Sequence, residues 1–289
     1  MKSQRFGIEI EFTGMTRLIA ARVIAKHFGT TETFRGGTYD EYHIKDSTDR
    51  TWKIVSDASI VATGNSLSKC EMVSPICTYD DIETIQEIVR KLRAEGMKVN
   101  SSTGIHIHID ASTHTAQSLK NLANIMSSKE DLLFEALKVE PERANRWCRK
   151  VDNTFLDKLN TRTKKDKNKI KKIWYNGRDE SHMHYSQTRY RALNLHSVWQ
   201  KGTVEFRCFN STTHAGKIKA YIQLCLAISN QAKTQAGATR RHTQTTNAKY
   251  TFRTWLLRMG LIGDEFKTAR QHLLSNLSGN IAWRNKGVA

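Results

Sequence analysis

The chain has 289 residues, of which 38% are hydrophobic and 26% charged, which excludes a disordered polymer and fits one large domain or two small ones. No apolar run approaches the roughly 20 residues of a membrane span. Because Glu9 and Glu11 interrupt the N-terminal apolar stretch, we expect no secretion signal there. The formal net charge of +18 favours an anionic partner, either nucleic acid or an acidic small molecule.

Periodicity predicts the elements of the first half of the chain, because strands alternate apolar and polar residues whereas helices repeat apolar residues every three or four positions. The predicted elements are a strand over residues 5–12, a helix over 18–28 ending at Gly29, a hairpin of 38–45 and 51–56, a strand over 69–74, a helix over 80–95 and a strand over 97–110.

The second half is richer in helical patterns. We predict a helix over residues 116–137, strands over 189–196 and 203–209, helices from Ala215 onward, and a polar loop over 235–249. Strands and helices do not alternate regularly, so the pattern favours an α+β fold with a mostly antiparallel sheet over a doubly wound one.

Much of the positive charge lies between residues 158 and 172, where eight Lys or Arg stand against one Asp. This stretch is either a solvated surface or a binding region for an anion. The five cysteines, Cys70, Cys77, Cys148, Cys208 and Cys225, lack closely spaced pairs. We interpret them as reduced thiols of a cytoplasmic protein.

Three predicted strands carry polar residues two positions apart, which places those side chains on one face of each strand. The sets are Glu9 and Glu11, then His106, His108 and Asp110, then Glu205 and Arg207. A solvated sheet face would give the same alternation. Glu, His and Asp, however, are also ligands for divalent cations, and a carboxylate-rich set favours magnesium or manganese over zinc.

Several further residues have both a functional and a structural interpretation. Arg207 offers a fork of donors that fits a phosphate. Arg189 and Arg191 repeat its spacing and are either site residues or members of surface ion pairs. Asp57 follows a strand and either caps a turn or joins the site. If Glu71 converges with the other carboxylates, a divalent metal would neutralise their repulsion.

The order of the motifs GIEIEF, WKIVSDASI, CEMVSP, TGIHIHID, RALNLHS and TVEFR resembles the amidoligases, relatives of glutamine synthetase and glutamate–cysteine ligase. The tail HLLSNLSGNIAW extends the likeness to residue 283. The resemblance implies one catalytic domain over residues 1–289, with a glutamine-synthetase-like antiparallel sheet curved into a half-barrel and backed by helices. A basic insert at about 155–185 and a helical region at about 215–289 would complete that domain.

The resemblance also implies a cofactor set of ATP and two Mg²⁺ or Mn²⁺ ions. Glu9 would share one metal with His106 and Glu205. Glu11 would share the other metal with Glu71. The basic insert has no counterpart in the family pattern.

The remaining motif residues match positions that handle the nucleotide and the substrate. Arg207 matches the arginine that neutralises the transferring phosphate, and His108 is expected to face ATP or substrate. Arg191 and Asn194 match positions that hold substrate or nucleotide. Asp57 is expected to position the incoming amine or a metal-bound water.

The resemblance and the residues that match it predict a ligase that forms an amide through an acyl phosphate. Its substrates would be an acidic or peptide carboxylate and an amine or ammonia.

Two alternatives stay open. The HIHID motif also occurs in metal-dependent hydrolases, and the charge together with Trp147, Trp174 and Tyr175 suits a nucleic-acid-binding protein. Phosphoryl transfer to a guanidino group fits the order of the motifs less well.

Overall fold

The computed structural model describes residues 1–163 and 165–282, and the chain forms two compact units. The N-terminal unit consists of Lys2–His108 and Phe209–Lys219, and the C-terminal unit of Ile109–Cys208 and Ala220–Ala289 together with Met1. The predicted single catalytic domain stays a prediction.

The N-terminal unit contains strands and two helices. Their bounds are β1 Phe6–Phe12, α1 Arg17–Phe28, β2 Glu32–Gly36, β3 Glu41–Lys45, β4 Thr51–Val55, β5 Cys70–Val73, α2 Asp81–Ala94 and β6 Gly104–Asp110, whose last two residues belong to the other unit. The strands lie side by side in the order β2-β3-β4-β5-β1-β6. The pairs β2–β3, β3–β4, β4–β5 and β1–β5 are antiparallel.

Strand β1 shows why this unit folds as it does. Phe6, Ile8, Ile10 and Phe12 are buried in the core, and the intervening residues project to the opposite face. Helix α1 packs against β2, β3, β4 and α2, so helices cover one side of these strands. Helix α1 ends at Gly29, whose φ of 67° is a left-handed conformation that glycine adopts without steric cost.

The C-terminal unit is mainly helical. Its elements are α3 Ala116–Leu137, α4 Pro141–Arg146, α5 Asn153–Leu159, α6 Lys167–Trp174, β7 Leu193–Asn194, α7 His196–Gln200, β8 Thr203–Asn210, α8 Ala215–Thr234, α9 Ala248–Arg258 and α10 Lys267–Leu274. Strands β7 and β8 pair antiparallel. The last two residues of β8 and the first five of α8 belong to the N-terminal unit. The amide of Asn121 on α3 donates hydrogen bonds to the carbonyls of Ala232 and Gln235, which ties α3 to the end of α8.

The predicted mixture of helices and antiparallel strands is confirmed, and the glutamine-synthetase-like half-barrel stays a prediction. Helix α3 has the predicted bounds, and its N-terminus is closed by a capping box of Thr115 and Ser118. Within the described part of the chain, no helix combines the length and apolarity of a membrane span.

Two predicted strands were wrong over part of their length. Of residues 97–110 only Gly104–Asp110 is a strand, because the backbone N–H groups of Thr103 and Ser102 bond to the carbonyl and side chain of Asn100 and make a turn. Of residues 189–196 only Leu193–Asn194 is a strand. The side chain of Asn194 accepts the N–H of His196 at 2.9 Å, and α7 begins there.

A carboxyl group buried on α3 gives a testable pH dependence. Glu130 is 1% exposed and accepts the N–H of Val151 with both oxygens, at 2.9 and 3.1 Å. Burial raises the pKa of Glu130 from 4.5 to about 7, against the lowering effect of that N–H and of Lys150. Between these values the folded protein binds more protons than the unfolded chain, so this group makes the free energy of unfolding fall as pH rises.

Glu130→Gln should therefore gain stability relative to the wild type between pH 5 and pH 8, by about 3 kcal/mol for a shift of this size. Urea unfolding of both proteins at the two pH values measures the gain. The exposed neighbour Glu135 on the same helix provides the control, because Glu135→Gln should show no such change. If both variants showed the same change in the free energy of unfolding relative to the wild type between pH 5 and pH 8, Glu130 would be ionised throughout that range.

Candidate functional site

Strand β1 presents two carboxylates on the face opposite the core. Glu9 is half-buried and Glu11 is 3% exposed. Strand β5 places Glu71 directly opposite Glu11 in the antiparallel register. Like charges at directly opposed positions destabilise a strand pair, so this arrangement calls for a cation or a hydrogen-bond donor between them.

Strand β4 brings a fourth carboxyl group to this face. Val55 pairs with Glu71, and the chain then leaves the strand toward Asp57. The carboxylate of Asp57 accepts the N–H of Ser59 at 2.7 Å, so Asp57 does cap a turn. It also offers an oxygen to the same cluster as Glu11 and Glu71. The turn-capping interpretation of Asp57 is confirmed, and its role in a functional site stays a prediction.

Strand β6 supplies two imidazoles. His106 Nδ1 lies 3.1 Å from Glu9 Oε2, and its Nε2 lies 3.6 Å from Glu11 Oε1. His108 Nε2 lies 3.3 Å from Glu9 Oε1. The backbone N–H of Gly104 donates to Glu11 Oε2 at 2.6 Å. The strand thus holds both β1 carboxylates in place with ring nitrogens and an amide.

These residues form two sets of possible metal-ligand atoms within the N-terminal unit. We call the two sets together the acidic cluster. One set is Glu9, Glu71 and His106, and the other is Glu11, Asp57 and Glu71; within each set the atoms lie within 4.8 Å of one another. Carboxylate oxygens with one imidazole fit magnesium or manganese. Glu71 belongs to both sets, whereas the family resemblance implied that it serves the Glu11 metal alone.

In the C-terminal unit, the predicted residues Glu205, Arg207 and Asn194 come together. Arg207 forms an ion pair with Glu205, and the two side chains are 6% and 3% exposed. The side-chain amide of Asn194 donates to Glu205 Oε2 at 2.5 Å. The ion pair of Arg207 and Glu205 is therefore buried.

Further residues contact the side chain and the backbone of Arg207. Its Nε donates to the carbonyl of Trp147 at 3.5 Å, and its guanidinium lies 6.0 Å from the ring centre of Tyr190. Arg143 donates to the Arg207 carbonyl at 3.5 Å. The guanidinium of Arg207 is thus in contact with Glu205, the Trp147 carbonyl and the Tyr190 ring, whereas Arg143 bonds to the backbone of Arg207.

The arginines at the repeated spacing differ from Arg207. Arg191 lies 3.5 Å from Asp152 and donates to the carbonyl of Lys150 at 3.1 Å. Burial lowers the pKa of Arg191, and Asp152 acts in the opposite direction. Arg189 donates to the carbonyl of His184 and lies near two tyrosine rings. These contacts connect both arginines to neighbouring segments of the C-terminal unit.

Comparison with known families assigns the chain to a family of enzymes. A family model described as "putative amidoligase enzyme" matches residues 2–229, which is most of the chain. The chain belongs to this family. Comparison with curated proteins finds no significant match. The predicted resemblance to the amidoligases is confirmed, and the match supports an enzyme of the ligase type.

The amidoligase match contains all the residues predicted for the site, from Glu9 to Arg207. The contacts of Trp147, Tyr190 and Arg143 with Arg207 were not predicted, because they join residues far apart in the sequence. A glycine in the predicted strand 97–110 permits a bend or a close approach, and the N–H of Gly104 does approach Glu11 closely.

The basic stretch begins in helix α5 and ends in helix α6. Helices α5 and α6 carry most of its charge, and Lys171 pairs with Asp179 at 2.8 Å while Lys158 donates to Asn176 at 2.6 Å. Lys164 of this stretch and Trp283 of the tail motif lie outside the described residues.

Proposed function

We propose that the protein is an ATP-dependent carboxylate–amine ligase that uses two magnesium or manganese ions and forms an amide through an acyl phosphate. The observation that carries the proposal is the acidic cluster, in which two sets of ligand atoms share Glu71, in a chain of the amidoligase family. A carboxylate common to two sets is the usual bridge of a two-metal site.

The donor set of the acidic cluster fits hard divalent cations, because four carboxylates and one imidazole supply mainly oxygen ligands. Opposed Glu11 and Glu71 would otherwise repel each other. Such ions, when bound, neutralise phosphate oxygens and orient a nucleotide. A role for Glu205 as a further ligand stays a prediction of the family resemblance.

The proposed reaction begins when an oxygen of the substrate carboxylate attacks the γ-phosphorus of ATP and ADP leaves. Arg207 would stabilise the charge on the transferring phosphoryl group, since its planar fork fits phosphate oxygens. Asn194 and Arg191 would hold substrate or nucleotide, and His108 would face ATP or substrate.

In the second step the nitrogen of an amine or ammonia attacks the acyl carbon, and inorganic phosphate leaves. Asp57 would position the amine or a metal-bound water, since its carboxylate is half-buried and lies in the acidic cluster. The net charge of +18 suits an acidic or peptide carboxylate as the first substrate. Water must be kept from the acyl phosphate, because it would hydrolyse that intermediate.

Calorimetry of ATP binding tests the metal part of this proposal. With magnesium or manganese present we expect ATP to bind at least about tenfold more tightly than in excess EDTA, a difference of about 1.4 kcal/mol. Asp57→Asn is expected to reduce that difference, because it removes one charge from the acidic cluster. Equal affinity with metal and with EDTA would contradict the two-metal site.

Mass spectrometry tests the reaction itself. Incubation with ATP, magnesium and a pool of acids and amines should give ADP, phosphate and a product lighter than its two substrates by one water. Products that appear without ATP and are heavier by one water would instead identify a hydrolase.

A further inference from the structure

A cavity of about 700 Å³ opens on the C-terminal unit, a volume typical of small-molecule sites. Its walls come from α3, from α9 and from the loop before α9. Apart from Lys129, all of its lining residues lie beyond residue 229, where the family match ends. We call it the threonine pocket, because five of its ten lining residues are threonines.

Two cations line the threonine pocket. Lys129 is partly buried on α3, and its ammonium donates to Thr243 Oγ1 at 2.6 Å and lies 5.8 Å from the ring centre of Trp255. Arg258 stands exposed at the end of α9. Burial and then the charge of Arg258 lower the pKa of Lys129, which means that the two positive charges act on each other through this space.

The described lining residues include no carboxylate. Two acidic residues follow Lys129 on α3. Glu130 is buried and accepts the N–H of Val151, and Asp131 pairs with Lys150 and with His242 at 2.8 Å. The pocket therefore holds two like charges, one of them partly desolvated, together with hydroxyl donors. Such an arrangement stabilises an anion that accepts several hydrogen bonds.

The walls are also fixed in position. The indole N–H of Trp255 donates to Gln231 Oε1 at 3.0 Å, and the hydroxyls of Thr245 and Thr251 bond to each other at 2.7 Å. The backbone N–H of Thr243 donates to the carbonyl of Ser128 at 3.0 Å, which holds the loop against α3. A preorganised wall lowers the cost of ordering side chains around a ligand.

We propose that the threonine pocket binds a phosphate-bearing small molecule, with Lys129 and Arg258 as the cationic partners of its phosphate. A phosphate monoester carries a charge between about −1.5 and −2 at neutral pH. That charge balances two cations better than the single negative charge of a carboxylate ligand would. The threonine hydroxyls and the phenol of Tyr250 supply further hydrogen bonds, and Trp255 gives an apolar wall for the organic part. This site is separate from the ligase proposal and involves none of its residues.

Calorimetry of the full chain in excess EDTA tests the proposal without metal, ATP or turnover. Inorganic phosphate and phenyl phosphate are the two probes, and tighter binding of phenyl phosphate would identify an ester rather than the free ion as the ligand. We expect dissociation constants on the order of 0.1–1 mM. Arg258→Gln and Lys129→Met should each weaken binding roughly ten- to a hundredfold, as expected for the loss of one hydrogen bond to a charged group.

Arg253→Gln is the matched control, because Arg253 lies on α9 outside the lining and its loss should leave binding unchanged. Arg258 is exposed, so its substitution should preserve the fold, which circular dichroism checks. The proposal fails if the wild type binds neither probe at about 10 mM, or if Arg253→Gln weakens binding as much as Arg258→Gln. It also fails if only an RNA oligomer binds and Arg258→Gln abolishes that binding, since the pocket would then belong to a nucleic-acid surface.

Discussion

Arg207→Ala is expected to lower turnover by roughly a hundred- to a thousandfold, the loss typical of a removed electrostatic stabiliser. The affinity for metal and for ATP should change much less, because the proposed partner of Arg207 is charge that develops during phosphoryl transfer. Steady-state kinetics together with calorimetry of metal and ATP binding separate these quantities.

The buried pair with Glu205 requires a control, because breaking a buried ion pair costs about 3–5 kcal/mol of stability. Arg207→Lys keeps a positive charge beside Glu205 but lacks the planar fork. If Arg207 only neutralises Glu205, the lysine variant should keep its turnover. If Arg207 contacts the transferring phosphate, both variants should lose turnover while the lysine variant keeps more stability.

Arg189→Ala provides the matched control for loss of a cation in the same unit, because Arg189 bonds to the His184 carbonyl. Its turnover should stay within about twofold of the wild type, as for a surface substitution. Normal turnover in Arg207→Ala, measured at a temperature where that variant is folded, would rule out the catalytic assignment.

The elements that the sequence predicted well are those in which local signals agree. Helix α3 has a continuous apolar pattern and a Thr115 cap, and its predicted bounds were confirmed. Strand β1 alternates between core residues and Glu9 and Glu11, so its two faces could be assigned from the alternation alone. In both cases the pattern is carried by residues close in sequence.

Strand β2 could not be predicted, because most of its residues are exposed and no alternation marks it. It is defined by pairing with β3, where Thr33 lies opposite His43. The strand predicted over residues 189–196 failed for the opposite reason. Its apolar alternation is real, but the side chain of Asn194 bonds to the backbone and starts a helix, a local competition that periodicity does not reveal.

The acidic cluster shows the same division between local and distant information. A spacing of two residues indicated that Glu9 and Glu11 lie on one face of their strand, and that His106 and His108 lie on one face of theirs. The position of Glu71 opposite Glu11 depends on the register of β1 and β5, which no local pattern specifies. Membership of Glu71 in two ligand sets follows from that register and could not be read from the sequence.

That shared position makes Glu71→Gln the most informative change in the acidic cluster. Without divalent metal the variant should be more stable than the wild type, by about 0.2–1 kcal/mol, because it removes a like charge directly opposite Glu11. With magnesium or manganese at about 100 times the dissociation constant, the wild type should gain about 2.7 kcal/mol from binding one ion. The variant should lose most of that gain, since Glu71 belongs to both sets of ligand atoms. Thermal unfolding with and without metal measures both effects.

Comparing Asp57→Asn with Glu71→Gln distinguishes a ligand of one set from a ligand that both sets share. Asp57 belongs only to the set with Glu11 and Glu71, so its variant should still bind one ion through Glu9, Glu71 and His106. Titration calorimetry should therefore give a lower metal stoichiometry for Asp57→Asn and weak binding throughout for Glu71→Gln. Glu83 is exposed on α2 of the same unit, and Glu83→Gln controls for the loss of one negative charge. Identical metal binding by the Glu71 and Asp57 variants would contradict the shared role of Glu71. A metal-free Glu71→Gln protein less stable than the wild type would show that its carboxylate is held by donors strong enough to outweigh the repulsion from Glu11.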